Sequence, residues 1–199
     1  MLKIHQIINS PVSSNSFIIS SSGSDKCIII DPGSSTAISY IDYFSENALT
    51  PQFIILTHQH FDHCASVNEL RAEFQDTKLV CSKYCNEGIQ SEKKNFSLFK
   101  EEFSPFKIAS ADIVFENYGT IEWNEYRIQC VPTRGHTSGS ISIIIENNIF
   151  TGDAWIKDTP TFTNFPTGNK EEQIATEKYL HSLHGMKVWP GHGDGFVVL

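Results

Sequence analysis

Short apolar runs alternate with polar turns along the first half of the chain. LKIHQII, SFIIS and KCIIID have the composition and length of strands, and the turn-forming SSGSD between the last two indicates a hairpin. Apolar positions at helical spacing predict a helix over residues 35–47, and the continuous apolar run FIILT follows Pro51. A second predicted helix, over residues 65–74, precedes the strand KLVCS. The first half is therefore predicted to pass from strands to alternating helices and strands.

Residues 84–106 interrupt this alternation with a mixture of lysine, glutamate and phenylalanine. Phe96, Phe99, Phe103 and Phe106 recur at helical spacing, which predicts a helical excursion that packs its apolar side on the core. A lid over a substrate site is a second role open to the same segment.

The second half repeats the strand-rich character of the first. DIVF, EYRIQCVP, GSISIIIEN and NIFTGD are predicted strands, and ENN between the last two is a hairpin signal. A helix over residues 171–183 and the strand MKVWPGHG follow. Strands followed by helices in both halves favour an α/β fold, a four-layer αββα sandwich with two mixed sheets packed face to face and helices outside.

Length and charge restrict the possible domain organisation and partners. A chain of 199 residues, 40% of them hydrophobic, can bury a sizeable core as a single domain spanning residues 1–199. Its net charge of −8 disfavours a general affinity for nucleic acid or anionic membranes, both of which need a basic face. We therefore expect neither nucleic acid nor a membrane as partner, which leaves a small-molecule substrate open.

Two further features predict a cytoplasmic location. No window approaches the roughly 18 apolar residues of a membrane span, and the start of the chain lacks the basic and apolar regions of a signal peptide. The five cysteines are scattered and odd in number, which suits a reducing compartment. Cys81 and Cys85 form a CxxxC pair, for which ordinary thiols are favoured over a metal site or a disulfide.

Histidine is concentrated in the stretch LTHQHFDHCA. His58, His60 and His63 lie within six positions together with Asp62, and imidazole and carboxylate groups suit zinc, iron or manganese. Four such groups are too many for one tetrahedral site fed from a single loop. In an extended chain His58 and His60 point the same way, whereas Asp62 and His63 fall where the chain turns into the next helix. The spacing therefore suggests two adjacent ions, each short of ligands.

Three further segments offer the missing ligands. His136, Asp153 and His192 each follow a predicted strand, in PTRGHTSGS, TGDAW and PGHG. A glycine beside each of them lets the backbone pass close to a site without a side chain in the way.

Five segments in order resemble the signatures of the metallo-β-lactamase fold superfamily: IIIDPGS, THQHFDH, TRGHTSGS, FTGDAW and PGHG. The resemblance covers nearly the whole chain and implies the αββα sandwich, with the site at the mouth between the sheets. It also implies the roles of individual residues. The implied ligands are His58, His60 and His136 for a first metal, Asp62, His63 and His192 for a second, and Asp153 as a bridge between them. Asp31 would orient the metal-binding loops by hydrogen bonding.

The resemblance implies a metal-dependent hydrolase with two divalent ions, zinc being expected and iron or manganese being alternatives. Such a pair of ions supplies a hydroxide nucleophile near neutral pH, and Asp62 could orient it and accept its proton as the catalytic residue. Trp155 and Arg134 are candidates for the substrate pocket, although core packing for Trp155 and solvation for Arg134 are the ordinary alternatives.

The expected substrate class depends on Asp153 and on two departures from the glyoxalase II-like pattern. An aspartate at this position disfavours β-lactam hydrolysis and is similar to glyoxalase II-like hydrolases, some lactonases and some phosphodiesterases. However, AWIKDTPTFTNFPTG lacks the arginine common in the glyoxalase II-like pattern, and the chain as given ends seven residues after His192, so we do not expect a glutathione-binding helical domain. We therefore expect cleavage of a thioester, lactone or similar ester.

Three alternatives stay open at this point. One is a phosphodiesterase of the same fold, and another is a mononuclear iron oxidoreductase like the persulfide dioxygenases. A non-catalytic binding module is the third, and it predicts that no metal is bound.

Overall fold

The computed structural model describes residues 1–101 and 103–199, and within them the chain forms twelve strands and five α-helices. The strands are β1 (Leu2–Ile8), β2 (Asn15–Ser21), β3 (Lys26–Ile30), β4 (Thr50–Ile55), β5 (Lys78–Ser82), β6 (Ile113–Phe115), β7 (Gly119–Trp123), β8 (Tyr126–Pro132), β9 (Ile141–Ile145), β10 (Asn148–Gly152), β11 (Lys187–Pro190) and β12 (Phe196–Val197). The helices are α1 (Ile38–Glu46), α2 (Phe61–Cys64), α3 (Val67–Glu73), α4 (Lys83–Ile89) and α5 (Lys170–His181).

The strands form two six-stranded sheets, one from each half of the chain. The first sheet has the order β1-β2-β3-β4-β5-β6, with antiparallel pairs up to β3 and parallel pairs from β3 to β6. The second sheet has the order β12-β11-β10-β9-β8-β7, and only β10 and β11 are parallel. Both sheets are therefore mixed, as predicted.

Alternation along the strands separates two layers of apolar packing. In β3, Ile28 and Ile30 belong to the cluster between the two sheets, together with Ile143 and Phe150 of the second sheet. The residue between them, Ile29, faces the opposite side, because successive side chains of a strand point to opposite faces. A strand with apolar residues on both faces must be covered on both faces.

Helices cover the outer faces of the two sheets. Tyr40 and Phe44 of α1 and Leu70 of α3 pack with Ile29 on the outside of the first sheet. On the outside of the second sheet, Leu180 of α5 packs with Val188 of β11. The order helix, sheet, sheet, helix confirms the predicted four-layer αββα sandwich.

The helical excursion predicted for residues 84–106 is wrong beyond residue 89. Helix α4 ends at Ile89, and in the described residues 90–101 and 103–106 the only helical turn is the 3-10 turn Ser97–Phe99. The buried Asn95 explains the break, because its side chain accepts from the N–H of Ser97 at 2.9 Å and donates to the carbonyl of Phe106 at 2.9 Å. Such side-chain bonds compete with the backbone bonds of a helix.

Smaller differences concern element boundaries. The helix predicted over residues 65–74 corresponds to α3 (Val67–Glu73), whereas the short helix α2 before it and strands β7 and β12 have no counterpart in the sequence prediction. Among the described residues, no helix combines the length and the apolar character required to cross a bilayer.

Candidate metal centre

The candidate ligands converge because parallel strands end at the same edge of the sandwich. β4 leads into the loop that carries His58 and His60, while β10 and β11 lead to Asp153 and His192. β8 runs in the same direction as β10 and leads to His136. In open α/β sheets ligands bind outside the carboxyl ends of the strands, where side chains from distant segments meet.

His58, His60 and His136 form the first triad. The Nε2 atoms of His58 and His136 each lie 3.1 Å from Nδ1 of His60, and all three side chains are buried. These three nitrogen atoms lie within 4.8 Å of one another, as one ion would require.

Asp62, His63 and His192 form the second triad. Oδ2 of Asp62 lies 3.8 Å from Nε2 of His63 and 3.5 Å from Nε2 of His192. Asp62 and His63 belong to α2, so the helix turns them away from the first triad, whereas His192 arrives from the second sheet.

Asp153 lies between the two triads. Its Oδ2 is 3.6 Å from Nε2 of His136, while its Oδ1 is 3.4 Å from Nε2 of His63 and 3.6 Å from Nε2 of His192. Each carboxylate oxygen therefore faces a different triad, which is the arrangement of a bridging ligand.

Hydrogen bonds behind the ligands fix the orientation of their rings. Asp31 accepts from Nδ1 of His63 at 3.1 Å and from the backbone N–H and hydroxyl of Thr57 at 2.7 and 2.6 Å. His136 and His192 donate from Nδ1 to the carbonyl oxygens of Phe162 at 2.8 Å and Ser13 at 3.2 Å. With Nδ1 donating, the lone pair of Nε2 points into the site. Asp31 also lies near His58 and His63. Its carboxylate oxygens already accept these hydrogen bonds, so we assign it to the support of the ligands and not to the ligands themselves.

The first triad is neutral at pH 7. Burial lowers the pKa of His58 well below its ordinary value and that of His60 to about 3. Burial also lowers the pKa of His136. Neutral imidazole is the form that binds metal, so no proton has to leave these three rings.

The second triad combines opposite charges. Burial opposes the charged form of His63, but the carboxylates of Asp153 and Asp62 outweigh it and raise the pKa of His63. Burial also opposes charge on His192, and the bond to Asp62 raises its pKa nonetheless. Burial would raise the pKa of Asp153, yet the neighbouring His63 holds it well below its ordinary value. In the metal-free protein the protons on His63 and His192 therefore compensate the negative charge of Asp62 and Asp153. A bound cation would compensate the same charge.

The side chains present fit a pair of divalent ions. Nε2 of His63 and Oδ1 of Asp153 are buried and have no hydrogen-bond partner among the described residues. The distances of 3.1–3.8 Å given above between the nitrogen and oxygen atoms of the ligands also resemble the edges of a zinc tetrahedron, about 3.4 Å for bonds of about 2.0–2.1 Å. An unpartnered buried donor or acceptor is costly, and coordination would remove that cost.

A cavity of about 520 Å³ opens over the two triads, and we call it the metal cleft. Besides the ligands, its walls are formed by Val12, Phe61, Phe96, Phe99, Lys100 and Phe165. The ring of His60 lies 5.0 Å from that of Phe96 and 4.7 Å from that of Phe165, centroid to centroid. The sequence reasoning missed these aromatic walls, because it assigned Phe96 and Phe99 to the apolar side of a helix that packs on the core.

The structure does not place either predicted pocket residue in the metal cleft. The chain turns after Asp153, so the ring of Trp155 lies 4.4 Å from that of His181 on α5 and 4.8 Å from that of Phe196. Arg134 donates to Asn117 at 3.1 Å and extends over the ring of Tyr84, which holds its guanidinium outside the cleft wall. The assignment of Trp155 and Arg134 to the substrate pocket at the metals is therefore corrected.

Comparison with known proteins agrees with this geometry. A family model described as the metallo-beta-lactamase superfamily matches residues 9–197. A protein of Methanocaldococcus jannaschii named as a probable metallo-hydrolase is 30% identical over 92% of this chain and 88% of its own length. A hydroxyacylglutathione hydrolase of Shewanella loihica is 30% identical over 63% of this chain, which corresponds to 41% of that enzyme. Among solved structures, that of BLEG-1 B3 metallo-beta-lactamase has a TM-score of 0.90 at 24% identity and covers 100% of this chain and 94% of its own.

Proposed function

Because the chain belongs to the metallo-β-lactamase superfamily, we propose that it is a dinuclear metal-dependent hydrolase that cleaves a thioester, lactone or similar ester. The observation that carries this proposal is the position of Asp153. Its two carboxylate oxygens lie 3.4–3.6 Å from histidines of different triads. A mononuclear site would use one triad and leave the other without a function.

The donor set favours zinc, with iron and manganese as alternatives. Five imidazoles and two carboxylates without a thiolate suit each of these ions. Bound in pairs, such ions supply an activated water at neutral pH and a Lewis acid for the substrate carbonyl. The protein residues orient the substrate and manage the protons.

Asp62 is the residue that we assign to proton transfer. Oδ2 faces His63 and His192 in the second triad, and we assign Oδ1 the role of holding the attacking water and accepting its proton. The low pKa of Asp62, which His63 and His192 maintain against the effect of burial, keeps this carboxylate ionised and able to accept.

The size of the metal cleft supports a small-molecule substrate rather than a macromolecule. A cavity of about 520 Å³ falls within the usual range of small-molecule sites, roughly 300–1,000 Å³. The rings of Phe96 and Phe165 limit the access of water around His60. Exclusion of water from the site limits the transfer of protons from reacting groups to bulk solvent. We also propose a cytoplasmic location, because all five cysteines are buried free thiols.

The test combines metal content with activity. Protein reconstituted with zinc, iron or manganese is measured by elemental analysis and assayed on thioesters, lactones and phosphodiesters. We expect two ions per chain and hydrolysis of thioesters or lactones. Asp153→Ala should lower both the metal content and the rate, whereas Asp42→Ala, an exposed aspartate on α1, should change neither.

Other outcomes would overturn separate parts of the proposal. One iron per chain together with thiol-dependent oxygen uptake would replace the hydrolase with an oxidoreductase. Two ions with hydrolysis of phosphodiesters alone would retain the site and change the substrate class.

A further inference from the structure

A second cavity of about 510 Å³ adjoins the metal cleft, and we call it the side pocket. The two cavities share Phe96 and Phe99 as walls. Two other walls of the side pocket continue into the cleft through neighbours in sequence. Gln59 precedes the ligand His60, and Pro166 follows the cleft residue Phe165. A substrate with its reactive bond at the metals can therefore reach into the side pocket.

The lining of the side pocket includes one buried amide, that of Gln59, beside the apolar surface of Phe96, Phe99 and Pro166. Gln59 is only 4% exposed, and its Oε1 has no hydrogen-bond partner in the described part of the chain. Gly88 of α4 provides room for this side chain, because a Cβ atom at that position would lie 2.5 Å from Cγ of Gln59. Tyr84 and Pro166 supply further apolar surface around it. A buried amide with unused hydrogen-bonding capacity is a typical element of a binding site.

The rim of the side pocket is positively charged. Lys93 and Lys94 line it, and Lys100 lines the adjoining cleft, whereas the chain as a whole carries a net charge of −8. Among the residues that the structure describes, none of these three lysines forms an ion pair with a carboxylate. Glu87 also lines the side pocket, so two positive charges face one negative charge there. Unpaired lysines beside an apolar cavity favour an anionic ligand.

We propose that the side pocket binds the apolar acyl segment of an anionic substrate, with the anionic group of the substrate against Lys93 and Lys94. This assignment rests on the proposed hydrolase function and narrows its substrate to thioesters or esters of acids that bear a second, negatively charged group. The acyl chain lies along Phe96 and Phe99, beside the buried side chain of Gln59.

Binding can be measured without turnover. The probe is 8-(ethylthio)octanoate, a thioether with an apolar chain and a carboxylate, and the alcohol 8-(ethylthio)octan-1-ol is the uncharged counterpart, which has no bond to hydrolyse. By isothermal titration calorimetry we expect the acid to bind about tenfold more tightly than the alcohol, a modest effect appropriate to exposed charges. Lys93→Glu/Lys94→Glu should abolish this preference, and Lys107→Glu, which alters an exposed lysine outside both cavities, should retain it. Equal binding of acid and alcohol by the unaltered protein, or an unchanged preference in the double variant, would overturn the proposal.

Turnover separates this proposal from the proposed function. The S-ethyl monothioester of suberic acid and its methyl ester are compared by kcat/KM with the metal-reconstituted enzyme. Preference for the acid in binding without hydrolysis of either thioester would retain the side pocket and count against thioester hydrolysis. Equal hydrolysis of both thioesters by every variant would retain the hydrolase and overturn the assignment of the side pocket.

Discussion

Asp31 Oδ2 lies 3.1 Å from Nδ1 of His63 at the buried back of the metal centre. The same carboxylate accepts two hydrogen bonds from Thr57, so all of its partners are donors. It thereby joins the end of β3 to the loop after β4 and holds the imidazole of His63 with Nε2 toward the second triad.

Asp31→Asn should weaken metal binding without unfolding the protein. The amide keeps the shape of the side chain, but its NH₂ group faces donors where the carboxylate accepted. We expect a loss of about 10–100-fold in metal affinity, typical of residues that orient ligands. Competition with a chromophoric chelator measures the affinity, and circular dichroism checks the fold. Wild-type affinity in Asp31→Asn would show that the orientation of His63 does not depend on this contact.

The two triads should respond separately to substitution. His136→Ala removes a ligand from the first triad, and His192→Ala removes one from the second. We expect each variant to retain about one ion per chain, because the intact triad and Asp153 still supply four ligands to the remaining ion. His184→Ala, an exposed histidine after α5, is the control and should bind the wild-type amount. Retention of two ions by either triad variant, measured by elemental analysis, would contradict the assignment of its histidine.

The metal-free protein should lose stability as the pH falls from 7 to 5. Burial depresses the pKa of His58, His60 and His136 in the folded state, whereas the unfolded chain titrates near the ordinary value of about 6.5. Below that value the unfolded chain binds more protons, so the free energy of unfolding decreases. Below about pH 6.5, His63 and His192, with raised pKa values, are protonated in the folded state and increasingly also in the unfolded state, so they no longer offset the loss.

Urea denaturation in the presence of a chelator tests this pH dependence. Above about pH 6.5 the contribution of His63 and His192 is lost as the pH rises through their raised folded-state values, so we expect a maximum near neutrality. A free energy of unfolding that is constant or increases from pH 7 to pH 5 would show that the three histidines of the first triad are not buried in the neutral form.

Gly191→Ala should disrupt the metal centre although glycine carries no chemistry. A Cβ atom at this position would lie 2.2 Å from Oδ1 of Asp153 and 2.9 Å from Cε1 of His63. The bridging carboxylate would have to move, so we expect loss of metal and of hydrolytic activity, together with a lower melting temperature in the presence of zinc. Asp194→Ala, an exposed change in the same loop, should leave all three properties unchanged. Wild-type metal content in Gly191→Ala would show that Asp153 is not confined by this contact.

Much of the site could be predicted because ligand chemistry and strand ends are local properties of a sequence. Apolar runs that stop at His58, His136, Asp153 and His192 locate these side chains at the edge of a sheet, and the structure brings them together with His60, Asp62 and His63. The carbonyl groups that orient His136 and His192 belong to Phe162 and Ser13, and a backbone carbonyl leaves no signal in the residue type.

The walls of the cavities could not be predicted for a different reason. The spacing of Phe96 and Phe99 fits a helix, but Phe96 has a φ of 65°, which few bulky residues adopt. The hydrogen bonds of Asn95 stabilise that turn against its local preference, and they depend on contacts with Phe106 and with the metal-binding loop at Phe61. The surroundings of Gln59 likewise depend on a tertiary contact, because Gly88 of α4 lies against its side chain.

The distribution of the ligands over both sheets has a consequence for synthesis on the ribosome. The first sheet brings His58, His60, Asp62 and His63, but neither triad is complete until β8 and β11 have delivered His136 and His192. At about 5–20 residues per second, the segment between His63 and His192 takes on the order of ten seconds to translate. During that interval the nascent chain contains only part of each triad. A complete site for the proposed metal pair therefore forms only after the second sheet has packed against the first.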